Sequence, residues 1–337
     1  MFLKELTELS GVSGYEYEVR NYIKSKLDEI GCEYKVDKLG NVIAHNKGKK
    51  NKKIMLAAHM DEVGLIVSHI DSNGFIKFQP VGGVDQRILN SKSVLIGENK
   101  IPGVIGSKAI HLMSAKERGK SIPIDKLYID IGTYSKKETE ELVSIGDYVV
   151  FKSSYVEFGE GLIKAKALDD RAGCSVLLDL LSMKLDVDFY GVFTVMEEVG
   201  SRGAQVAAYG LEPDYAIVLE GTVCVHMPGV KENSMVTLIG RGAALSLMDS
   251  STVYDIDEVR KVENIAEKYG ISYQFRTSTS GGNDAGAIHK TKEGSKAVAI
   301  SLPCRYIHSP VSVASKNDYD NVVRLIKAVI SENQKGE

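Results

Sequence analysis

At five places in the chain an apolar run leads into His, Asp or Glu. IMLAA leads to His59-Met60-Asp61, GLIKAKAL to Asp169-Asp170, FYGVFTVM to Glu197-Glu198 and YAIVL to Glu220, while His308 follows AVAISLPCRYI. Each has an ordinary explanation when taken singly. A His-x-Asp pair serves as a surface contact, paired acids suit a helix N-terminus, Glu220 can be a strand-terminal charge, and His308 can belong to a turn before Ser309-Pro310. Taken jointly, five strand ends of one sheet would all have to carry such groups by accident, and the set makes chemical sense as a metal centre. Two imidazoles and three carboxylates, with no thiolate, suit Zn, Co or Mn. The count fits two ions that share one carboxylate, and ions about 3.5–4 Å apart can hold a hydroxide and polarise a carbonyl oxygen. Hydrolysis of an amide or ester is the implied chemistry. Asp61, two residues beyond His59, is placed to accept the imidazole's other N–H. Of the adjacent glutamates, one can bind metal while the other stays free as general base, and Gly200 allows the turn that brings both to one site.

The elements that position these residues follow from periodicity. Val19, Tyr22, Ile23, Leu27 and Ile30 fall at helical spacing between Tyr15 and Ile30, with Gly31 as C-cap. Short apolar runs at Asn41–Ala44 and Ile54–Ala58 predict strands, the second ending at His59. Between about Val67 and Gly161, β-like runs such as GFIKF, SVLI and DYVVF are punctuated by Gly and Asp, which predicts an all-β insert. From Leu162 onward strands and helices alternate. Helices are expected at 172–185, 257–269 and 317–332, and strands at 189–195, 215–219 and 297–302. The fold class is therefore α/β, with a mostly parallel central sheet flanked by helices. Residues 1–66 and 162–337 form the catalytic domain, and 67–161 form the inserted, barrel-like domain.

Composition narrows the partners. A formal net charge of -3, with the basic residues dispersed apart from a Lys-rich stretch at Lys47–Lys53, offers no footprint for nucleic acid, and that stretch reads as a solvated turn. The four cysteines stand far apart without a Cys-x-x-Cys pair, and they read as buried thiols of a reducing compartment. The opening MFLKELTELSG lacks the apolar region of a signal peptide, and no apolar run reaches membrane-spanning length. A cytoplasmic protein without membrane contact is expected.

AAHMDEVGLIV, the VGG at 81–83, KALDDRAG, VMEEVGSRGA, VLEGT, STSGGNDAGAIH and RYIHSP together resemble the tetrahedral, TET-type metalloaminopeptidases. That family includes glutamyl and deblocking aminopeptidases and members labelled cellulase or endoglucanase M. The resemblance implies two divalent ions with His59 and Glu198 on opposite metals, Asp169 bridging, and Glu220 and His308 completing the shells. It makes Glu197 the general base and Asp61 the orienting carboxylate, and it places a cis peptide between Asp169 and Asp170. It further implies peptide substrates with a free N-terminus, and a homo-oligomer whose inserted domains pair into dimers that assemble as a hollow dodecamer. Departures are Glu220 where many relatives have Asp, His226 where relatives often carry an aspartate, and GRGAAL in place of a Pro-containing version. Gly281, Gly282 and Asn283 precede an apolar helix without the Lys and Ser/Thr of a nucleotide loop. They border the substrate cavity in the resemblance, or form a plain helix start with Asn283 or Asp284 as cap. Three rival functions remain at this stage: an N-acyl amino acid amidohydrolase, an endoglucanase, which would ordinarily use two metal-free carboxylates, and a non-catalytic assembly protein.

Overall fold

The computed structural model describes residues 2–49, 52–231 and 234–333. The chain enters through helices α1 (Leu3–Glu8) and α2 (Tyr17–Ile30), followed by strands β1 (Glu33–Val36), β2 (Val42–Asn46) and β3 (Ile54–His59). Next come β4 (Gly64–Ile70), β5 (Ile76–Val81), β6 (Ser93–Ile96), β7 (Ile101–Gly106), β8 (Tyr128–Asp130) and β9 (Tyr148–Phe151), with short helices α3 (Ala115–Arg118) and α4 (Lys136–Glu140) among them. After β10 (Val156–Phe158), β11 (Leu162–Ala165) and α5 (Leu168–Ser182), the chain continues through β12 (Phe189–Thr194), α6 (Arg202–Leu211), β13 (Tyr215–Val223) and β14 (Ala243–Ser246). It then runs through α7 (Ile256–Lys268), β15 (Tyr273–Arg276), α8 (Ala285–Ile288), β16 (Lys296–Cys304), β17 (Ser312–Ser315) and α9 (Lys316–Asn333).

The main sheet has eight strands in the order β1-β2-β12-β3-β13-β16-β14-β15. Its four central strands, β12, β3, β13 and β16, are mutually parallel, whereas β1, β2 and β14 pair antiparallel to their inner neighbours. The parallel centre places four carboxyl ends on one edge. That arrangement explains the near-continuous apolar runs, since such strands are covered on both faces. β3, for example, is buried at every position. Helices α2, α5, α7 and α9 contribute Ile23, Leu178, Val259 and Ile326 to the same core as Leu56 and Ile217.

Helix α2 starts at Tyr17 rather than Tyr15. Glu16 is occupied instead in accepting the backbone N–H groups of Gly14 at 2.7 Å and Met196 at 3.2 Å. Its C-cap is Gly31 in the left-handed region, as the spacing predicts. Residues 50 and 51 of the Lys-rich stretch between β2 and β3 lie outside the described residues.

Strands β4, β5, β8, β7, β6 and β9 close into a barrel with its own core of Leu65, Phe78, Val94, Ile105 and Ile129. The barrel begins at Gly64, before the expected Val67, because β4 continues directly from the His59 segment. It ends at Phe151. β10, expected within the insert, pairs instead with β11, which pairs with β17, in a separate three-stranded antiparallel sheet. Val12, Tyr148 and Val150 form a small cluster that fixes the barrel to the N-terminal segment. No described helix is long and apolar enough to cross a membrane.

Candidate metal centre

The expected site residues converge, although not all from strand ends of one sheet. His59 is the last residue of β3, and Glu197 and Glu198 follow β12 after Val195 and Met196. Glu220 lies inside β13, opposite Ser301 of β16, because that strand runs on to Val223. Asp169 reaches the site from the three-stranded sheet, at the start of α5 after β11, and His308 from the loop joining β16 to β17. The two sheets meet at this point, so apolar runs in both end facing the same cleft. The Asp169-Asp170 peptide bond is cis, as the resemblance implied.

Asp169 stands between the two imidazoles. Its Oδ1 is 3.4 Å from His59 Nε2, and its Oδ2 is 3.5 Å from His308 Nε2. His59 Nε2 lies 3.1 Å from Glu220 Oε1, and His308 Nε2 lies 3.4 Å from Glu198 Oε2. One carboxylate therefore separates a His59–Glu220 pair from a His308–Glu198 pair. Each imidazole is oriented from behind by a backbone carbonyl. His59 Nδ1 is 3.1 Å from the Asp61 carbonyl, and His308 Nδ1 is 3.1 Å from that of Gly83 in the segment after β5. His308 holds a left-handed backbone, φ 57°, a conformation uncommon outside glycine.

The Asp61 carboxylate faces His59 Nδ1, where an acceptor for the imidazole's other N–H is expected, and it has further partners. It lies 3.4 Å from His59 Nδ1 and also accepts the N–H groups of Glu197 at 3.0 Å and Glu198 at 3.1 Å and the Ser13 hydroxyl at 2.6 Å. Fully buried, Asp61 holds the loop carrying both glutamates at a fixed distance from His59. Gly200, φ 111°, allows that loop to turn. Glu197 also receives the Ser201 hydroxyl at 3.3 Å.

Gly221 is a site residue that the motif VLEGT contained but its chemistry did not reveal. Its N–H donates to Asp169 Oδ1 at 3.1 Å, and a Cβ placed there would lie 2.7 Å from Asp169 Cβ. Only glycine lets β13 approach Asp169 so closely. Gly281, Gly282 and Asn283 do line the cleft, which measures about 1080 Å³ and also contains Asp169, Glu197, Glu198, Glu220 and His308. The Asn283 side chain is engaged in structure. Its oxygen accepts the Ala285 N–H at 2.9 Å, and its amide reaches the Tyr254 hydroxyl at 3.1 Å, whereas Asp284 makes no capping bond. His226 is exposed and is not among the lining residues.

Without metal this cluster is electrostatically unfavourable. Burial, and then the charge of Asp169, push the Glu198 carboxyl up to about 7. Burial also raises Glu197 and Glu220 well above the carboxylate range, with neighbouring acids adding to the effect and His59 opposing it. Burial disfavours charge on His308, yet its hydrogen bond to Asp169 and the charges of Glu198 and Asp169 lift it to about 9. Glu220 Oε2 and Asp170 Oδ2 are buried without a hydrogen-bond partner, a costly state for carboxylate oxygens. Ligand atoms of His59, Asp169 and Glu198, and likewise of His59, Asp170 and Glu220, lie within 4.8 Å of one another, so each group could hold an ion. Orphaned oxygens, compact N/O donors and raised carboxyl pKa values all fit divalent cations.

A parallel-centred α/β sheet that delivers imidazoles and carboxylates to one cleft defines a metal-dependent hydrolase, and the comparisons narrow it to an exopeptidase. The chain belongs to the M42 glutamyl aminopeptidase family, whose model matches residues 40–325. It is 34% identical to the lysyl aminopeptidase of Pyrococcus furiosus over 98% of this chain and 96% of that protein. Among solved structures it is similar to the aminopeptidase APDkam598 of Desulfurococcus kamchatkensis, with a TM-score of 0.93 and 38% identity over 98% of this chain and 94% of the other. It is also similar to the TET1 peptidase of Pyrococcus horikoshii, described as assembling into a tetrahedron or a large octahedral shell. There the TM-score is 0.87, with 36% identity over 97% of this chain and 98% of the other. The resemblance to TET-type aminopeptidases is thereby confirmed.

Proposed function

We propose that this metal-dependent aminopeptidase works with two divalent ions, Zn or Co foremost and Mn as a further candidate. His59 and Glu220 would hold one, His308 and Glu198 the other, with Asp169 available to both. The observation that carries this reading is the division of the Asp169 oxygens between the two imidazoles, at 3.4 and 3.5 Å. Such ions supply Lewis acidity toward water and toward the scissile carbonyl.

The chain's own residues do the rest. Glu197 borders the same cleft as the ligand residues and makes no close contact with either imidazole, and its carboxylate, which accepts the Ser201 hydroxyl at 3.3 Å, is the proton carrier. It takes a proton from the attacking water and returns it to the departing amine. Asp61 positions Glu197 and Glu198 through their backbone N–H groups, while the carbonyls of Asp61 and Gly83 fix the imidazole faces. Peptides with an unblocked N-terminus are the substrates.

The four free thiols support a reducing, cytoplasmic setting. A homo-oligomer of dimers, up to a tetrahedral dodecamer, is supported by the shell-forming relative. Exposed apolar side chains of the 67–161 region, including Val104, Ile110 and Leu112, give it a surface to pair through. The test of the activity is hydrolysis of aminoacyl anilides beside their N-acetylated counterparts and a soluble cellulose, with chelator and with metal restored. Cleavage confined to free-amine substrates with metal present is expected. Cleavage of the acetylated set or of the glucan would overturn the substrate assignment.

A further inference from the structure

Asp284 belongs to the STSGGNDAGAIH motif, yet neither the ligand groups nor the cleft wall account for it. It is 1% exposed, is not among the residues lining the cleft, and makes no capping bond to α8. One of its oxygens is fixed: Oδ2 accepts the Thr194 hydroxyl at 2.6 Å, and Thr194 ends β12, the strand that leads to Glu197. The other, Oδ1, is buried and has no hydrogen-bond partner among the described residues. Leaving a carboxylate oxygen so is costly. Burial pushes the Asp284 carboxyl up to about 6, with Asp61 adding to the effect and with His59 and the hydroxyls of Thr194 and Ser201 opposing it.

Ser201 connects this carboxyl with the base. Its N–H donates to the Glu197 carbonyl at 2.9 Å, and its hydroxyl donates to Glu197 Oε1 at 3.3 Å. The same hydroxyl bears on Asp284. Ser201 and Asp284 immediately precede α6 and α8, and those helices pack against each other. Ser201 holds a left-handed backbone, φ 50°, which glycine adopts at less cost. What serine adds at that position is the hydroxyl.

A serine hydroxyl carries one proton and two acceptor lone pairs. While Glu197 is ionised, Ser201 donates to it and leaves Asp284 Oδ1 open, as observed. Once Glu197 has taken the proton of the attacking water, it needs an acceptor instead. Ser201 can accept from the Glu197 O–H by turning its own proton to another oxygen, and Asp284 offers that oxygen. We infer that Asp284 is a positioning residue for Glu197, acting through Ser201: it accepts the Ser201 hydroxyl when Glu197 is protonated, and so holds the proton carrier in place between its two transfers. No proton changes owner in this exchange. Only the directions of two hydrogen bonds reverse.

The inference rests on Glu197 as the base of an aminopeptidase, and one set of kinetics separates the two. On the metal-loaded full chain, kcat, KM and metal content are measured with the aminoacyl p-nitroanilide that the wild type cleaves fastest, for Asp284→Asn, Ser201→Ala, the double variant and Glu197→Gln. Asparagine keeps the shape and the acceptor for Thr194 but puts an N–H donor where the second acceptor oxygen stood. Asp284→Asn and Ser201→Ala are each expected to lower kcat by about tenfold or more, as loss of an orienting partner does, with KM and metal content unchanged. The double variant is expected to be no slower than Ser201→Ala alone, because the two residues act as one unit. An Asp284→Asn enzyme with wild-type kcat overturns the inference, as do losses that multiply in the double variant or a loss confined to KM or metal content. If Asp284→Asn fails to fold, wild-type kcat in Ser201→Ala still overturns it. Near-normal turnover by Glu197→Gln would instead remove the base, and this inference with it.

Discussion

Carboxylates and imidazoles packed in a buried site bind protons when they lack metal, and this fixes the sign of the site's pH dependence. Glu198 is raised from 4.5 to about 7 and His308 from 6.5 to about 9. Across those windows the folded, metal-free chain holds protons that the unfolded chain has released, so its stability falls as pH rises. The melting temperature of the chelated protein is expected to decline from pH 5 to pH 9, and metal should remove most of that slope. Metal affinity should move the opposite way, strengthening by about tenfold per pH unit for each proton displaced. Calorimetric titration in buffers of different ionisation enthalpy counts those protons, and a pH-independent affinity would contradict the raised pKa values. A second residue-scale prediction concerns Glu62, which is buried between Lys166 at 2.6 Å and Arg171 at 3.1 Å. Glu62→Ala leaves two buried cations without their acid and should cost about 3–5 kcal/mol in denaturant unfolding. At this scale the sequence was informative where the chemistry resides in residue type. His59, Asp169, Glu198, Glu220 and His308 are legible because such groups rarely follow apolar runs five times over. Ser13 was invisible, and Gly83 stood only within a quoted motif without a role, since each acts on a partner far away in the chain through one hydroxyl or one carbonyl.

At the scale of elements, the site is set by how closely strands and loops approach. Gly221→Ala introduces a Cβ 2.7 Å from that of Asp169, so β13 and the start of α5 must move apart. We expect turnover to fall by about a hundredfold, in line with what a 1 Å misplacement can cost, while far-UV circular dichroism stays native. Full activity would mean that the approach is not needed. Strand and helix positions were mostly legible, because parallel central strands give unbroken apolar runs and helices such as α2 carry a clear period. The boundaries were less so. β13 and β16 run past their apolar cores into Thr222 and Pro303, where register with each other sustains them. Residues 156–158 fell within the expected insert because the pairing of β10 with β11, and of β11 with β17, is tertiary and leaves no mark on local sequence.

For the whole molecule, the barrel is expected to serve both assembly and catalysis. Its Gly83 carbonyl orients His308, and Asp85 and Arg87 from the same segment line the cleft. Replacing the barrel strands by a short linker should therefore lower the native mass and also weaken metal binding, as measured by light scattering and metal analysis. Unchanged mass would contradict the assembly role, and unchanged metal content the catalytic one. The account turns most directly on Glu197 as an uncoordinated base, and the measurement that tests this is metal content together with turnover for Glu197→Gln. Two ions per chain with kcat reduced by about 10²–10⁴-fold is the predicted result. A loss of half the metal would make Glu197 a ligand, and near-normal turnover would remove it from proton transfer, either of which contradicts the account.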